Sequence, residues 1–451
     1  MAGRYKAYPE YKDSGVDWLH DIPAHWKTIP VGRCYRRIKR TGFETEELLS
    51  VYRDHGVVPK SSRDDNNNKP SDDLSPYQLV CEDNLVMNKM KAWQGSIAIS
   101  EFRGIVSPAY FVYEPMKSAD SLLFPKYVHY LLRHPIYITQ YMSRSKGIRV
   151  NQWDLDPEEF QRIELLLPQK DEQSKIINCL DHETAKIDTL IAKQEKLIEL
   201  LKEKRQAVIS HAVTKGLNPD APRKDSGVEW LGEVPEHWEV TKLKWKTSTT
   251  SGGTPTTSKY EMYYKDGYIP WIRTTDLNNG KLLETPVNIT SKALADTACS
   301  ILPKNSILLA MYGGAGSIGK HSLLMFEATI NQAVCGIYPS SAFESEFLHY
   351  FYEFYRPFWM INAAGTRKDP NIGQDHIKEG KVVLPPVAEQ RTIVAHINKT
   401  LALLDRLNVK ATDAIELAKE RKTALISAAV TGKIDVRHFV AEQGQPQGVQ
   451  G

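Results

Sequence analysis

The sequence predicts an α+β fold in which two mixed α/β domains are separated by two long antiparallel coiled-coil helices, with a pseudo-two-fold relationship that follows from tandem duplication. Three observations predict it. A fifteen-residue block near the N-terminus recurs in mid-chain, two long segments carry the seam pattern of a coiled coil, and the stretches between these shared parts hardly match. The chain therefore consists of a shared frame, made of the recurring block and the long segment of each copy, and of two different middle segments, which we call the first and the second middle.

The duplication is clearest in a block rich in tryptophan. Residues 12–26 (KDSGVDWLHDIPAHW) and 224–238 (KDSGVEWLGEVPEHW) are identical at ten of fifteen positions. The tryptophans in each block are expected to anchor a globular body to the frame. The two copies run from about 12 to 216 and from about 224 to 433, and the turn-forming linker GLNPDAP (216–222) joins them.

Two further matches place the ends of each copy. LPQKDEQ at 167–173 matches LPPVAEQ at 384–390, and AVISHAVT at 207–214 matches ALISAAVT at 424–431. Both matches lie at a shift of 217 residues, so the stretch between them has one length in both copies. A repeat of this size is a duplication of a whole domain and not a solenoid unit.

The stretch from 172 to 214 contains neither Gly nor Pro, and its duplicate has the same pattern. Seam positions at steps of three and four are mostly apolar from Ile177 to Ala212 and from Val394 to Ala429. A helix from Ile177 to Ala212 would be about 50 Å long, far above the globular average. We expect each helix to pair antiparallel with its twin, with Gln194 and Asn408 fixing the register; the alternative is two helices buried separately in their own domains.

The middle segments, 27–165 and 239–382, are predicted to be mixed α and β. Each carries strands followed by a helix in the same order: strands at 84–90 and 110–113 with a helix over 125–142, and strands at 306–312 and 333–338 with a helix over 344–360.

Composition excludes several classes of protein. A chain of 451 residues with 41% hydrophobic and 25% charged residues is typical of globular domains, and a net charge of +3 does not by itself indicate a nucleic-acid binder. No run of 18 apolar residues is present and the N-terminus is polar, so we expect a cytoplasmic protein without membrane contact. The sequence predicts no metal site and no disulfide, because its five cysteines are scattered: Cys34, Cys81, Cys179, Cys299 and Cys335.

Catalytic motifs are weak throughout the sequence. Gly314–His321 (GAGSIGKH) is one residue short of a phosphate-binding loop, but His321 replaces the hydroxyl that would hold Mg²⁺, and a glycine-rich hairpin is the favoured interpretation. A phosphotransferase centred on Lys320 remains a remote alternative. No nucleophile elbow, methyltransferase motif or nuclease motif is evident, so we expect a chain without catalytic residues of its own.

Basic and amide side chains in the two middles are candidates for DNA contact. Two basic turns stand in the same place, about twenty residues before each LP, and Arg, Lys, Asn and Gln can grip phosphates or base edges. For any one of these residues a solvated surface turn is an equally good explanation. The candidates are Lys89, Lys91, Trp93, Gln94, Arg144, Lys146, Arg149, Asn151 and Gln152 in the first middle, and Arg273, Thr274, Lys320, Asn331, Gln332, Arg367, Lys368, Asn371 and Gln374 in the second.

This ordered set of motifs resembles the specificity subunit of type I restriction-modification enzymes. The resemblance rests on the two SGVxWLxxxPxHW blocks, the two LPxxxEQ helix starts and the ALISAAVTGK-type helix ends. Gly253-Thr-Pro255, Tyr268–Ile272 and Ile330-Asn-Gln332 add to it. The resemblance implies target recognition domains at 1–167 and 217–384, spacer and partner-binding helices at 168–216 and 385–433, and a flexible tail at 434–451.

The resemblance also implies function and partners. Each recognition domain would read one half of a split site in double-stranded DNA, and unlike middles imply an asymmetric site. Two modification subunits would bind the frame and methylate adenine at N6, while restriction subunits would translocate and cleave DNA. S-adenosylmethionine, ATP and Mg²⁺ would then bind on partners and not on this chain. The alternatives are a self-sufficient bipartite DNA-binding scaffold, the recognition subunit of another multi-chain restriction system, and a structural coiled-coil adaptor.

Overall fold

A computed structural model describes residues 5–53, 55–63, 70–149, 152–313, 316–363 and 371–440. The chain forms two compact units, and both contain part of each long helix. Unit 1 comprises Met1–Lys193 with Ala414–Gly451, and unit 2 comprises Gln194–Asp413. The two predicted α/β domains and the long helices are thus confirmed. Among the described residues, no helix has an apolar stretch long enough to cross a membrane.

Unit 1 is built on a four-stranded antiparallel sheet of order β4-β11-β8-β9, with short two-stranded sheets around it. The predicted strands at 84–90 and 110–113 are β8 and β11. The strands are β1 (Tyr11–Asp13), β2 (Asp21–Pro23), β3 (Lys27–Pro30), β4 (Tyr35–Ile38), β5 (Leu49–Tyr52), β6 (Gly56–Pro59), β7 (Gln78–Val80), β8 (Leu85–Asn88), β9 (Ile97–Ile99), β10 (Gly104–Val106), β11 (Tyr110–Pro115), β12 (Ser145–Arg149), β13 (Gln152–Leu155) and β14 (Glu164–Leu167).

The helices of unit 1 correct one prediction. The single helix predicted over 125–142 is two helices, because Pro135 has no N–H and forces His134 out of the helical region, to φ −68° and ψ 141°. The His134 ring then caps the second helix, accepting a hydrogen bond from the Ile136 N–H at 3.2 Å. The helices are α1 (Val31–Cys34), α2 (Pro125–Leu132), α3 (Pro135–Arg144), α4 (Pro157–Gln161) and α5 (Lys170–Lys215).

Unit 2 carries a larger sheet of order β18-β25-β22-β23-β20 and a three-stranded sheet of order β21-β19-β24. The predicted strands at 306–312 and 333–338 are β22 and β25. The strands are β15 (Arg223–Asp225), β16 (Glu233–Pro235), β17 (Glu239–Lys242), β18 (Thr249–Ser251), β19 (Ile269–Ile272), β20 (Lys281–Leu282), β21 (Asn288–Ile289), β22 (Ile307–Ala310), β23 (His321–Leu324), β24 (Thr329–Ile330), β25 (Val334–Ile337) and β26 (Lys381–Leu384).

The predicted helix over 344–360 of unit 2 is one long helix. The helices are α6 (Tyr260–Tyr263), α7 (Ser291–Asp296), α8 (Ser345–Ala363), α9 (Gln374–Glu379) and α10 (Val387–Val430). No helix follows the glycine-rich loop before Lys320. The segment that begins at His321 is β23, which pairs antiparallel with β22, so the predicted hairpin is confirmed and the dipole of a helix N-terminus is missing from this loop.

The long helices α5 and α10 run antiparallel inside each unit. In unit 1 the Lys422 ammonium donates to the Asp188 carboxylate at 2.7 Å, and in unit 2 the Arg205 guanidinium donates to Asp405 at 2.8 Å. The two ion pairs are equivalent, because the 217-residue shift between the copies relates Asp188 to Asp405 and Arg205 to Lys422. The seam prediction holds at thirteen apolar positions, which are less than 10% exposed: Ile177, Leu180, Ile187, Ala212, Val394, Ile397, Leu401, Leu404, Ala411, Ile415, Ala418, Leu425 and Ala429.

In each unit, a glutamate at the start of a long helix joins that helix to the tryptophan block of the frame. The Glu172 carboxylate accepts hydrogen bonds from the Trp26 indole at 3.1 Å and from the His25 ring at 2.7 Å. In unit 2, Glu389 binds Trp238 and His237 at the same two distances. We call each set a frame clamp. It explains why HW and EQ recur together although about 150 residues separate them.

The glutamine after each clamp glutamate is fully buried and holds the loop that precedes a helix of the α/β body, α2 in unit 1 and α8 in unit 2. Gln173 accepts from the Phe124 N–H at 2.9 Å and donates to the carbonyls of Leu122 and Pro168. Gln390 repeats this pattern: it accepts from the Glu344 N–H and donates to the carbonyls of Ala342 and Pro385. The LPxxxEQ motif is therefore a set of structural contacts, and it is satisfied inside each unit.

The end of one long helix meets the clamp of the other within the same unit. Gly432, just after α10, has φ +72°, and a Cβ there would lie 2.6 Å from Pro23 and 3.2 Å from Trp26. Gly216, just after α5, has φ +74° and would meet Trp238 at 3.2 Å. Only glycine combines the left-handed conformation with this close approach.

The predicted tail at 434–451 begins later than expected. Ile434 and Val436 are 9% and 1% exposed and belong to the core of unit 1, and Asp435 pairs with Lys6 through a β-bridge. Burial of these apolar side chains holds the segment against the body. Residues 441–451 lie outside the described residues.

Candidate nucleic-acid interface

In unit 1 the structure brings the two predicted groups of residues together. The 3₁₀ turn Ala92–Gln94 packs against the β12–β13 hairpin, where the Trp93 and Trp153 rings lie with centroids 5.0 Å apart. The Leu155 N–H donates to the Lys89 carbonyl at 3.2 Å. We call this combined surface the unit 1 patch.

The candidate side chains of the unit 1 patch differ in exposure. Lys91, Gln94 and Lys146 are exposed, whereas Lys89 is half-buried. Arg144 is half-buried and donates to the Gln140 side chain at 2.5 Å, so part of its hydrogen-bonding capacity is used inside the protein. Trp93 donates its indole N–H to the Met90 carbonyl at 3.0 Å, which makes it a support for the turn.

The hairpin tip holds three more predicted residues. Arg149 and Gln152 face each other in the register of β12 and β13, so their backbones lie at the tip. Their side chains, and Asn151 as a whole, lie outside what the structure describes. Their contacts with DNA stay a prediction.

In unit 2 the predicted residues converge where two parallel strands end. β19 pairs with β24, and Arg273 and Asn331 follow these strands directly. The Asn331 N–H donates to the Ile272 carbonyl at 2.9 Å, and Gln332 accepts a hydrogen bond from the Thr254 hydroxyl. Because neighbouring parallel strands end at one edge, these side chains share a surface, which we call the unit 2 patch.

A glycine brings a further segment to the unit 2 patch. A Cβ on Gly252 would lie 1.6 Å from the Ile330 carbonyl oxygen, so only glycine lets this chain segment pass against β24. The following Thr254 thereby reaches Gln332. This contact gives a structural reason for the Gly-Thr-Pro sequence.

Arg273 is held in place by an acid. Asp276 accepts from the Arg273 backbone N–H at 2.8 Å and from its guanidinium at 3.0 and 3.2 Å, and this pairing raises the pKa of Arg273. The ion pair orients the arginine and offsets part of its charge. Thr274 is 9% exposed, so its hydroxyl is a poor candidate for direct contact with DNA.

The other described candidates of the second middle lie on other parts of unit 2. Lys320 is half-buried at the start of β23, and its carbonyl accepts from the Ala310 N–H at 2.8 Å. Asn371 is exposed, whereas the Gln374 amide donates to the Thr249 hydroxyl at 2.9 Å. Arg367 and Lys368 lie outside the described residues.

One cation near the unit 1 patch was missed from the sequence. The guanidinium of Arg37, exposed on β4, stacks 4.0 Å from the centroid of the Phe111 ring on β11. The next strand, β8, leads into Lys89, whose N–H donates to the Ala109 carbonyl at 3.2 Å. The consecutive arginines Arg36 and Arg37 were the available signal, since in a strand one of the two must face away from the core.

Gln194 and Asn408, predicted to fix the helix register, are half-buried in unit 2. The Asn408 side-chain Oδ1 is buried and has no hydrogen-bond partner among the described residues. An unsatisfied amide costs stability, which is the price expected of a polar seam residue.

A family model for the type I restriction modification DNA specificity domain matches residues 235–417, which include most of unit 2. The type I restriction enzyme MjaVIII specificity subunit of Methanocaldococcus jannaschii is 24% identical over 441 residues, or 95% of this chain and 98% of that protein. The EcoKI specificity subunit of Escherichia coli K12 is 27% identical over 208 residues, or 45% of this chain and 44% of its own length.

Two solved structures have a similar fold. A chain from a structure describing complex assembly and conformational transition of the type I R-M system aligns with a TM-score of 0.66, covering 92% of this chain and 99% of that one at 14% identity. The HsdS subunit from Thermoanaerobacter tengcongensis aligns with a TM-score of 0.57, covering 92% and 98%, also at 14% identity. At this identity the likeness concerns the fold.

Proposed function

We infer that this chain, which belongs to the specificity subunits of type I restriction-modification enzymes, recognises DNA sequence for a multi-subunit complex. The observation that carries this function is one frame clamp repeated in two units whose sheets differ. Two domains that are held by the same contacts but differ in their sheets are expected to read different sequences.

The difference between the units supports an asymmetric bipartite site. Unit 1 presents its patch on a turn and a hairpin, Ala92–Gln94 and β12–β13, whereas unit 2 presents its patch at the ends of β19 and β24. Patches with different side chains at different positions are expected to read different bases, because base identity is read by donor and acceptor patterns.

Within each patch we propose a division of roles. The exposed Lys91 and Lys146 would contact phosphates, which position a protein on the duplex without reading its sequence. The amides of Gln94 and Gln332 would reach base edges, since Asn and Gln pair with adenine in two places. Arg273, oriented by Asp276, is suited to guanine.

We propose that catalysis takes place on partner chains. Two modification subunits would bind the frame and methylate adenine with S-adenosylmethionine, and restriction subunits would use ATP and Mg²⁺. The strand that follows Lys320 supports this proposal, because a phosphate-binding loop requires a helix there. The complex would act in the cytoplasm, where the DNA lies.

The decisive experiment makes the two units alike. The chain is co-expressed with an adenine methyltransferase subunit of the type I class, and N6-methyladenine is mapped across the host genome by sequencing. The wild-type chain should give an asymmetric split motif. Replacing residues 239–382 by a second copy of 27–165 should give a motif whose two halves are inverted repeats of the first half-site.

Each other outcome would argue against the proposal in a defined way. An unchanged motif in the duplicated variant would show that unit 2 does not read DNA. Split-site DNA binding without methylation by any co-expressed subunit would favour a self-sufficient scaffold. Binding with no sequence preference in the assembled complex would leave only a structural adaptor.

A further inference from the structure

Unit 2 contains a cluster of metal-ligating side chains that sequence spacing did not reveal. His321 stands on β23, and His349 and Glu353 stand one turn apart on α8. One ligand atom from each residue lies within 4.8 Å of the other two. The sequence predicted no metal site, because 28 residues separate the first histidine from the second.

Both histidines are buried, and three of their four ring nitrogens have no hydrogen-bond partner of normal geometry among the described residues. His321 is 0% exposed and His349 is 4% exposed, and their ring centroids are 4.8 Å apart. Neither ring nitrogen of His321, nor Nδ1 of His349, makes a hydrogen bond of normal geometry among the described residues. A buried polar nitrogen without a partner destabilises the folded chain, so three of them in one place point to a group that could pair with them.

The histidines offer lone pairs. Burial lowers the pKa of His321 to about 3 and that of His349 to about 4, with smaller contributions from the His349 ring and from the Lys281 ammonium, respectively. Neutral imidazole is the form that binds a metal. The carboxylate of Glu353 is half-buried and supplies the one negative charge.

Positive groups around the cluster limit the charge it can hold. Arg356 lowers the pKa of His321 and Arg205 lowers that of Glu353, although burial raises the latter overall. Lys281 is paired with Glu346 at 2.6 Å, which offsets its charge. One divalent ion on one carboxylate is therefore feasible, and a second ion is not.

An open groove leads to the cluster. Gln206, Asn279, Gly316 and Arg356 line it together with His321 and Glu353. All of these residues belong to unit 2. An ion can enter by this route, and a water can complete its coordination.

Unit 1 carries the corresponding helix with the opposite charge. His129 is the fifth residue of α2, as His349 is of α8, and each helix packs on a strand of the neighbouring hairpin. The residue four positions later is Arg133 in unit 1, and its guanidinium donates to the His129 ring at 2.9 Å. In unit 1 the Arg133 guanidinium thus stands beside the histidine, where unit 2 has the carboxylate of Glu353.

We propose that His321, His349 and Glu353 form a site for one divalent transition-metal ion of the Zn²⁺ type. Two imidazoles and one carboxylate are a ligand set that Zn²⁺ prefers, with one coordination position left for water. The ion joins α8 to β23 and so stabilises unit 2. Mg²⁺ is a poor fit, because it requires oxygen ligands.

The test uses the full-length chain without an affinity tag, stripped with a chelator. Titration with Zn²⁺ against a chromophoric chelator should give one equivalent bound, and Mg²⁺ should not compete. Co²⁺ should give the visible absorption of a tetrahedral site. Glu353→Gln should weaken Zn²⁺ binding by more than about 10-fold, and His349→Gln should abolish the stoichiometric site.

Two controls distinguish this site from binding elsewhere on the chain. His129→Gln, in the corresponding helix of unit 1, should leave Zn²⁺ binding unchanged. Zn²⁺ at a concentration that fills only the wild-type site should slow hydrogen exchange of α8 and β23 in the wild-type chain but not in Glu353→Gln, which retains the shape of the side chain. Binding that all three variants retain, or no stoichiometric binding by the wild-type chain, would overturn the proposal.

Discussion

The Glu172 carboxylate accepts a hydrogen bond from the Trp26 indole at 3.1 Å, although 146 residues separate the two along the chain. Tyr8 donates to the same oxygen at 2.8 Å, and His25 lies at 2.7 Å from the other one. Three donors on one buried carboxylate fasten the start of α5 to the N-terminal block of unit 1. The equivalent Glu389 has two such donors and is more exposed.

This asymmetry predicts unequal effects of the same substitution. Glu172→Gln should destabilise unit 1 by about 1.5–3 kcal/mol, because a neutral amide cannot accept three charge-assisted hydrogen bonds. Glu389→Gln should destabilise unit 2 by less. Hydrogen exchange of peptides from each unit measures both effects, with Glu195→Gln on the exposed side of α5 as the control. Equal effects in both units would contradict the added role of Tyr8.

A second prediction concerns the polar residue in the seam of unit 2. Asn408→Leu should raise the free energy of unfolding by about 1–3 kcal/mol, since it removes a buried oxygen that has no partner among the described residues. Combined with Gln194→Leu it should also loosen the helix register. Cysteines at Arg205 and Asp405, which are in contact in the native register, report this as a lower yield of the correct crosslink. An unchanged crosslink pattern would remove the register role.

The sequence predicted the frame well because its signals are periodic and repeated. The seam from Val394 to Ala418 is buried as its spacing required. Local rules failed where tertiary packing decides: Pro135 divides a predicted helix, whereas Pro357 lies inside a continuous α8. The His321 cluster could not be found at all, because a strand and a helix bring its members together.

The unit 1 patch gives a prediction about DNA affinity. In the assembled complex, Lys91→Ala and Lys146→Ala should each weaken binding to specific and nonspecific duplexes alike, and each should reduce the salt slope by about one. Gln94→Ala should relax specificity with little change in slope. Fluorescence anisotropy at several salt concentrations measures both quantities. Lys12→Ala, on the exposed β1 of the frame, is the matched control, and an equal loss there would count against the patch.

His134 predicts how unit 1 responds to acid. Burial, with a smaller effect from Lys433, lowers its pKa to about 4 from an ordinary value of 6.5. Between these two values the unfolded chain takes up a proton that the folded chain does not, so the free energy of unfolding falls as the pH decreases, by up to about 3 kcal/mol. Above pH 6.5 the ring is neutral in both the folded and the unfolded chain, so this loss of stability is absent.

The variant His134→Asn separates this effect from general acid unfolding. Asparagine can still accept from the Ile136 N–H and donate to Ser427, which lies 2.7 Å from the histidine ring, but it does not titrate. The variant should match the wild-type chain at pH 8 and lose less stability than it between pH 6.5 and 4. Denaturant titrations followed by hydrogen exchange of α3 give the comparison, and parallel curves would refute the assignment.

The long helices give the last prediction, because α5 and α10 each contribute residues to both units. If they set the distance between half-sites, one added heptad after Lys193 and one after Asp413 should lengthen the tolerated DNA spacer. Seven residues add about 10 Å of helix, which equals about three base pairs. The heptad keeps the apolar seam in phase, whereas insertion of four residues rotates it and should prevent assembly. Mapping methylated sites in cells measures the spacer, and an unchanged spacer with the heptads in place would exclude the helices as the ruler.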